Sequence, residues 1–177
     1  MAVDAARRER AVTVEETTID ARSFALFYEQ SRERMVRTVW ATLGDLELAT
    51  DAVDEAFTRA YERWGSIAGG ANPEGWVYRT AVNWATSRFR ALSVRRRYQH
   101  KVATPDATED RYTHPELAEH LAALPMEQRT VLVLRYLLDW DIAMTAEALG
   151  IAPGTVRSRT ARASAALRAR IDLREQP

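Results

Sequence analysis

The side chains of this chain that could do chemistry fall into two arginine-rich clusters and one cluster of carboxylates. In the first cluster, Arg79, Asn83, Ser87 and Arg88 recur at helical spacing among Trp76, Val77, Tyr78, Trp84 and Phe89. Cationic and hydrogen-bonding groups beside aromatic rings suit phosphates and unpaired bases. Arg95, Arg96 and Arg97 follow and add an electrostatic grip. The same spacing also describes an ordinary core helix. Trp76, Val77, Trp84 and Phe89 are expected to be buried for that reason, with the arginines and Asn83 exposed. The second cluster is Thr155, Arg157, Ser158, Arg159 and Arg162, just beyond Pro153. Gly150-Ile151-Ala152 separates it from a helical segment over Asp141 to Leu149, which is the pattern of a helix-turn-helix. Residues near the start of its second helix would reach base edges in a major groove. Arg157 and Arg159 are two apart and flank a line, so one can read a guanine while the other holds phosphate. A helical hairpin with a solvated arginine face is the alternative.

The third cluster is acidic. Asp51, Asp54 and Glu55 stand at i, i+3 and i+4 and share one helix face. Paired carboxylates can move protons or hold a metal, but neither fits here. His100, His114 and His120 are remote and form no HExxH-type motif. With no cysteine there is no thiolate metal site, disulfide or Cys nucleophile. No Ser/His/Asp set or Gly-rich phosphate loop stands out either. The chain is therefore expected not to be an enzyme and to need no cofactor. An acidic face that docks on a basic protein fits best.

The 177 residues carry 25 basic and 25 acidic side chains, a formal net charge of zero. The sum hides an alternation. Residues 1–78 have nine basic and fourteen acidic side chains, and residues 79–104 have seven basic and none acidic. Residues 105–147 have three basic and nine acidic, and residues 148–177 have six and two. Both positive blocks coincide with the arginine clusters, so neutrality does not exclude a polyanion partner. It does predict weak DNA binding by the free chain. With 46% hydrophobic and 28% charged residues the composition is that of a globular protein. No 18-residue apolar segment and no signal peptide occur, so a cytoplasmic location without membrane insertion is expected.

The elements that must position these clusters read as helices throughout, since no run alternates with a period of two. Residues 1–20 are polar and expected to be a disordered tail. Helix one is expected over about 21–42, with Phe24, Phe27, Tyr28, Met35, Val39 and Leu43 as its stripe. Helix two is expected over 46–64, a loop over 65–75, and helix three from Pro73, suited to a first turn, to Arg96. Residues 99–115, with two prolines and no periodicity, read as a flexible linker. Helices over 116–124, 125–138, 141–149 and 153–172 follow. The fold class is all-α: two small helical domains, 21–98 and 116–172, joined by that linker.

These residues carry a family resemblance. Residues 44–64, GDLELATDAVDEAFTRAYERW, resemble region 2.2 of sigma-70-family RNA polymerase sigma factors. Residues 73–97, PEGWVYRTAVNWATSRFRALSVRRR, resemble regions 2.3–2.4. Residues 124–168, which open on LPMEQR and contain GTVRSR, are similar to sigma region 4. Order, spacing and size match the extracytoplasmic-function class. The resemblance implies a monomer in the holoenzyme that binds core RNA polymerase and promoter DNA, with an anti-sigma factor as a further partner. It implies that Asp51, Asp54, Glu55 and Arg59 meet the polymerase. Arg79, Asn83, Ser87, Arg88 and Arg95 to Arg97 would face the −10 element, with the 66–72 loop near a flipped base. Thr155, Arg157, Ser158, Arg159 and Arg162 would read the −35 element. The alternative is a stand-alone helix-turn-helix regulator of duplex operator DNA, which needs neither the acidic face nor the Trp-rich basic helix. Two residues depart from the family pattern. Thr145 and Thr160 stand at usually aliphatic positions, so each buried hydroxyl would need a partner. Ala152 replaces a frequent N-cap.

Overall fold

Eight helices account for the computed structural model, which describes the backbone of residues 2–96 and 115–174 and the side chains of 20–88, 117 and 119–172. Their order is α1 (Ala2–Leu43), α2 (Leu46–Glu62), α3 (Trp64–Ile67), α4 (Pro73–Arg96), α5 (Pro115–Ala122), α6 (Met126–Tyr136), α7 (Ile142–Leu149) and α8 (Pro153–Arg174). Among the described residues no strand occurs. The all-α class and the two helical groups hold.

Two boundaries differ from the sequence expectation. Helix α1 begins at Ala2, so the backbone of residues 2–20, expected as a disordered tail, is helical. The reason is visible in composition. The segment holds no glycine or proline and is rich in Ala, Glu and Arg, which lose little on entering a helix. Helix α3 is one turn inside the expected 65–75 loop, with Trp64 and Ile67 buried. The expected linker falls almost wholly on residues 97–114, outside the described part.

The first group is a three-helix bundle in which α2 packs against α1 and α4. Asp45 starts α2 by accepting the Leu48 N–H at 2.9 Å, the N-cap bond that satisfies an otherwise orphan donor. The buried face of α2 is Ala49, Ala52, Val53, Ala56, Phe57 and Ala60. Its four alanines bring the neighbouring helices close, and Val53 and Phe57 fill the space. Helix α1 contributes Met35, Val36 and Val39, and α4 contributes Val77, Tyr78, Ala81 and Ala85.

In the second group α8 packs on α6 and α7. Asp141 caps α7 by accepting the Met144 N–H at 2.7 Å. Gly150 ends it at φ +63°, a left-handed conformation that costs a glycine nothing. Helix α8 restarts three residues later without a side-chain cap, its Thr155 and Val156 N–H groups bonding to the Ala152 carbonyl. A small core of Leu124, Leu132 and Ala163 belongs to this group alone.

The main core is common to both groups. Leu134, Leu138, Trp140 and Ala148 are buried in one cluster with Met35, Val39, Phe57, Val77 and Tyr78. Trp140 meets Tyr78 edge-on with ring centroids 6.3 Å apart. Polar contacts reinforce the joint. Arg129 donates to the carbonyls of Thr42 at 3.0 Å, Ala122 at 2.7 Å and Leu124 at 3.1 Å. It thereby holds the end of α1 against the end of α5, where helices leave carbonyls unpaired.

Candidate nucleic-acid interface

The line of exposed polar residues on α4 is set by the buried line opposite. Val77, Tyr78, Ala81 and Ala85 face the core, and Arg79, Asn83 and Ser87, spaced by four, are exposed together on another side. Arg88 is exposed as well, and its guanidinium lies 5.0 Å from the centre of the Trp84 ring, a cation–π distance. The large apolar residues divide. Val77 is fully buried, whereas Trp76 and Trp84 are half-buried, packed on the core along one side. Both line a cleft of about 390 Å³ with Arg59, Arg63, Thr80, Asn83 and Ser87. The backbone of Arg95 and Arg96 continues α4; their side chains, that of Phe89, and Arg97 lie outside the described residues.

A second, smaller pocket of about 220 Å³ lies where the 66–72 loop meets α4. Asn72 organises it. Its Oδ1 accepts the Gly75 N–H at 2.7 Å, so Asn72 caps α4, while its Nδ2 is buried without a partner. Gly75 is required by this contact, because a Cβ there would stand 2.5 Å from Nδ2. Arg79 and Trp76 complete the pocket on the α4 side. Glu147 and Ala148 of α7 close it from the second group.

On α2 the acidic residues do share a face, but it is less bare than the sequence suggested. Asp51 is exposed. Asp54 is gripped in bidentate fashion by Arg32 of α1, Nε to Oδ1 at 2.8 Å and Nη2 to Oδ2 at 2.9 Å. Glu55 accepts from Arg59 Nε at 2.8 Å. These half-exposed pairs contribute little to stability; their effect is to fix the carboxylates in place. Arg59 stands at the boundary, bonded to Glu55 and lining the α4 cleft.

Helix α8 buries Val156 and Ala163 and exposes Arg157, Ser158 and Arg162; Thr155, Arg159 and Thr160 are half-buried. Ser158 donates to the Thr155 carbonyl at 3.1 Å, and Arg162 Nε to the Ser158 carbonyl at 3.2 Å. Arg159 lies 3.6 Å from Glu127 of α6. Arg157 and Arg162 are thus the exposed arginines of this helix, and Arg159 is drawn toward α6. The hydroxyl of Thr145, fully buried, donates to the Asp141 carbonyl at 2.7 Å. That of Thr160 is buried with no partner.

Several residues matter that the sequence reading gave no role. Tyr78 is wholly buried. Its hydroxyl lies 3.0 Å from the Thr42 hydroxyl, and desolvation pushes its pKa up to about 12, against smaller lowering effects of Thr42 and Thr130. Burial pulls the Arg129 guanidinium below its ordinary value. Arg32, Trp140 and Glu147 complete the set. Arg129 lay within the LPMEQR signature, and Tyr78 within the aromatic run, so both were in view without a function.

Among the described residues no group of three His, Asp or Glu side chains could hold a metal, and no helix is long and apolar enough to cross a membrane.

Comparison with known proteins agrees with this geometry. Residues 27–95 match the family model Sigma-70 region 2, and residues 112–167 match Sigma-70, region 4. The ECF RNA polymerase sigma factor SigM of Mycobacterium tuberculosis is 31% identical over 150 residues, spanning 84% of this chain and 76% of that one. The sigma factor RpoE of Bartonella quintana, solved with the anti-sigma factor NepR, superposes with a TM-score of 0.72 at 19% identity, covering 85% of this chain and 97% of RpoE. CnrH, solved with the cytosolic domain of CnrY, gives 0.61 at 20% identity, covering 93% and 97%.

A bundle bearing an acidic face and a basic-aromatic helix, followed by a helix-turn-helix, is the build of a promoter-specificity subunit. The chain belongs to the sigma-70 family of RNA polymerase sigma factors, in its extracytoplasmic-function class. It binds core RNA polymerase, recognises promoter elements and directs transcription initiation, and it is not an enzyme. One expectation needs correction. CnrH is held by the cytosolic domain of CnrY, so a chain of this fold can be bound by a protein of which only a part is cytosolic. An unqualified cytoplasmic label does not stand.

Proposed function

We propose that the sigma activity is divided among the three surfaces as follows. The α2 face of Asp51, Asp54, Glu55 and Arg59 docks on core polymerase, with Arg32 and Arg59 holding two of its carboxylates in the docking geometry. Arg79, Asn83, Ser87 and Arg88 on α4, continued by Arg95, Arg96 and Arg97, take the −10 element. The Asn72 pocket accepts an extruded base, whose capture offsets part of an unstacking cost of a few kcal/mol. Thr155, Arg157, Ser158, Arg159 and Arg162 grip the −35 duplex. Residues 21–98 and 116–172 act as the two functional units, and 99–115 spans the promoter spacer. The protein acts as a monomer in the holoenzyme and is restrained by an anti-sigma factor.

The observation that carries this reading is the exposed line Arg79, Asn83 and Ser87 beside a cleft walled by two half-buried tryptophans. Cations for phosphates and ring faces for bases converge there, on a stretch free of acidic residues from Val77 to Pro105. Run-off transcription with core polymerase tests the docking surface. Asp51→Arg combined with Glu55→Arg should abolish transcription and leave the thermal melt near that of the wild type. Unchanged transcription would remove the docking assignment.

A further inference from the structure

Arg63 belongs to neither arginine cluster, yet it opens onto the same helix. It is exposed at the corner where α2 ends and α3 begins. Its backbone N–H closes α2 by donating to the Ala60 and Tyr61 carbonyls. The next residue pins the corner: Trp64 is buried, and its indole donates to the Ser23 hydroxyl at 2.6 Å. Among the described residues Arg63 forms no ion pair. Arg59, one turn earlier, is held by Glu55 at 2.7 Å, so its charge is largely offset and Arg63 is the dominant cation of the pair. Both arginines wall the cleft of about 390 Å³ beside α4, together with Trp76, Trp84, Asn83 and Ser87. No carboxylate lines it. Its walls come wholly from α4 and the end of α2, whereas the Asn72 pocket and the space between Arg79 and Glu127 include residues of α6 or α7.

We propose that the α2–α4 cleft is a nucleotide-binding site, accessible in the free chain, in which Arg63 holds the phosphate and the two tryptophans carry the base. The ligand is one nucleotide unit, base and phosphate together. It comes either from the melted −10 strand or from a free nucleoside diphosphate.

The chemistry of the walls selects this ligand. A bare phosphate calls for cations and has no use for indole rings. An apolar ligand calls for rings and is repelled by an unpaired guanidinium. A nucleotide uses both, since a guanidinium matches phosphate oxygens in geometry and charge and an aromatic side chain suits the π-face of any base. Asn83 adds an amide donor and acceptor for a base edge, and Ser87 a hydroxyl for the sugar. The volume lies within the range of about 300–1,000 Å³ usual for small-ligand sites. Arg63, Asn83 and Ser87 are all exposed, so the phosphate contact is screened by salt and the affinity is modest. That agrees with the weak DNA binding expected of the free chain.

The inference deepens the −10 assignment made above, since Asn83 and Ser87 belong to both. Arg79 does not line this cleft and separates the two. Arg63→Gln and Arg63→Lys are made in the full chain, and both should melt like the wild type because the side chain is exposed. Binding of a short fluorescein-labelled DNA single strand of mixed sequence is followed by anisotropy between about 50 and about 200 mM salt. Loss of one phosphate contact should weaken Arg63→Gln about eightfold at the lower salt and about threefold at the higher, with a salt slope smaller by about 0.7. Arg63→Lys should keep the slope of the wild type. The unlabelled strand should also quench tryptophan fluorescence. ADP and pyrophosphate then identify the source. ADP that quenches and displaces the strand establishes a free nucleotide as a ligand, and a strand that alone binds and quenches establishes the melted promoter as the source. Pyrophosphate displacing the strand as well as ADP does would overturn the site, because the tryptophans would then add nothing; a strand that binds without quenching would do the same. Unchanged affinity and slope in Arg63→Gln would also overturn it, and the −10 assignment survives alone if Arg79→Gln still weakens the strand. If Arg63→Gln weakens binding and Arg79→Gln has no effect, the −10 assignment fails and the cleft stands.

Discussion

Tyr78 gives the packing argument a quantitative test. Its phenol is buried between α1 and α6, and its pKa is pushed from 10.0 to about 12 by desolvation, against the smaller lowering effects of Thr42 and Thr130. A raised folded-state pKa means that the native protein holds this proton after the unfolded chain has released it. The contribution is complete below pH 10 and is lost as the pH rises from 10 to 12, with a slope of about 1.4 kcal/mol per pH unit. By pH 11 about 1.4 kcal/mol should have gone, or about 3–6 °C in Tm for a chain of this size. Tyr78→Phe cannot ionise and should lack this loss. At pH 9 the variant should be less stable than wild type by about 1–2 kcal/mol, from the missing hydrogen bonds. Thr42 limits the damage because its hydroxyl also bonds to the Thr38 carbonyl at 2.9 Å. Urea unfolding followed by circular dichroism at pH 9 and pH 11 measures both effects. The two proteins should converge in stability as the pH rises. Parallel stability against pH would show that the phenol is not desolvated as described.

Two further substitutions follow from the polar groups near the interfaces. Thr160→Val should stabilise the protein by about 1 kcal/mol in a thermal melt, because it removes a buried hydroxyl without a partner. Thr145→Ile should gain little, since that hydroxyl is already bonded to Asp141. Gly75→Ala should leave Tm nearly unchanged: the helix-propensity gain and the loss of the Asn72 cap are each about 1 kcal/mol and opposite in sign. It should nonetheless weaken binding of a −10 single strand in a fluorescence titration, because the displaced Asn72 reshapes the pocket.

What was legible in the sequence is what local chemistry dictates. Pro73, Gly150 and Pro153 punctuate the chain, so the starts of α4 and α8 and the end of α7 could be read directly. The acidic face of α2 and the exposed line on α4 follow from helical periodicity alone. The start of α1 was not legible, because a polar stretch without caps or breakers looks alike whether helical or frayed. Long-range pairings were hidden as well. Arg32 meets Asp54 across 22 positions and Arg129 meets Thr42 across 87, separations at which sequence shows a charge but no partner. The family signature marked Arg129 without revealing that it is a half-buried latch. Thr160 illustrates the reverse: its departure from the aliphatic pattern pointed to an unsatisfied hydroxyl, and the structure has one.

The shared core also has a consequence for synthesis. Tyr78 and its neighbours on α4 leave the ribosome about 70 residues before Ala148, so their apolar partners arrive about 4–14 s later at ordinary elongation rates. For that interval the nascent bundle shows the ribosome surface and its chaperones an uncovered face, with the Tyr78 ring in view of water. A stall or truncation before Trp140 would leave that face permanently bare. Messages interrupted before Trp140 should therefore yield a sticky, protease-sensitive fragment.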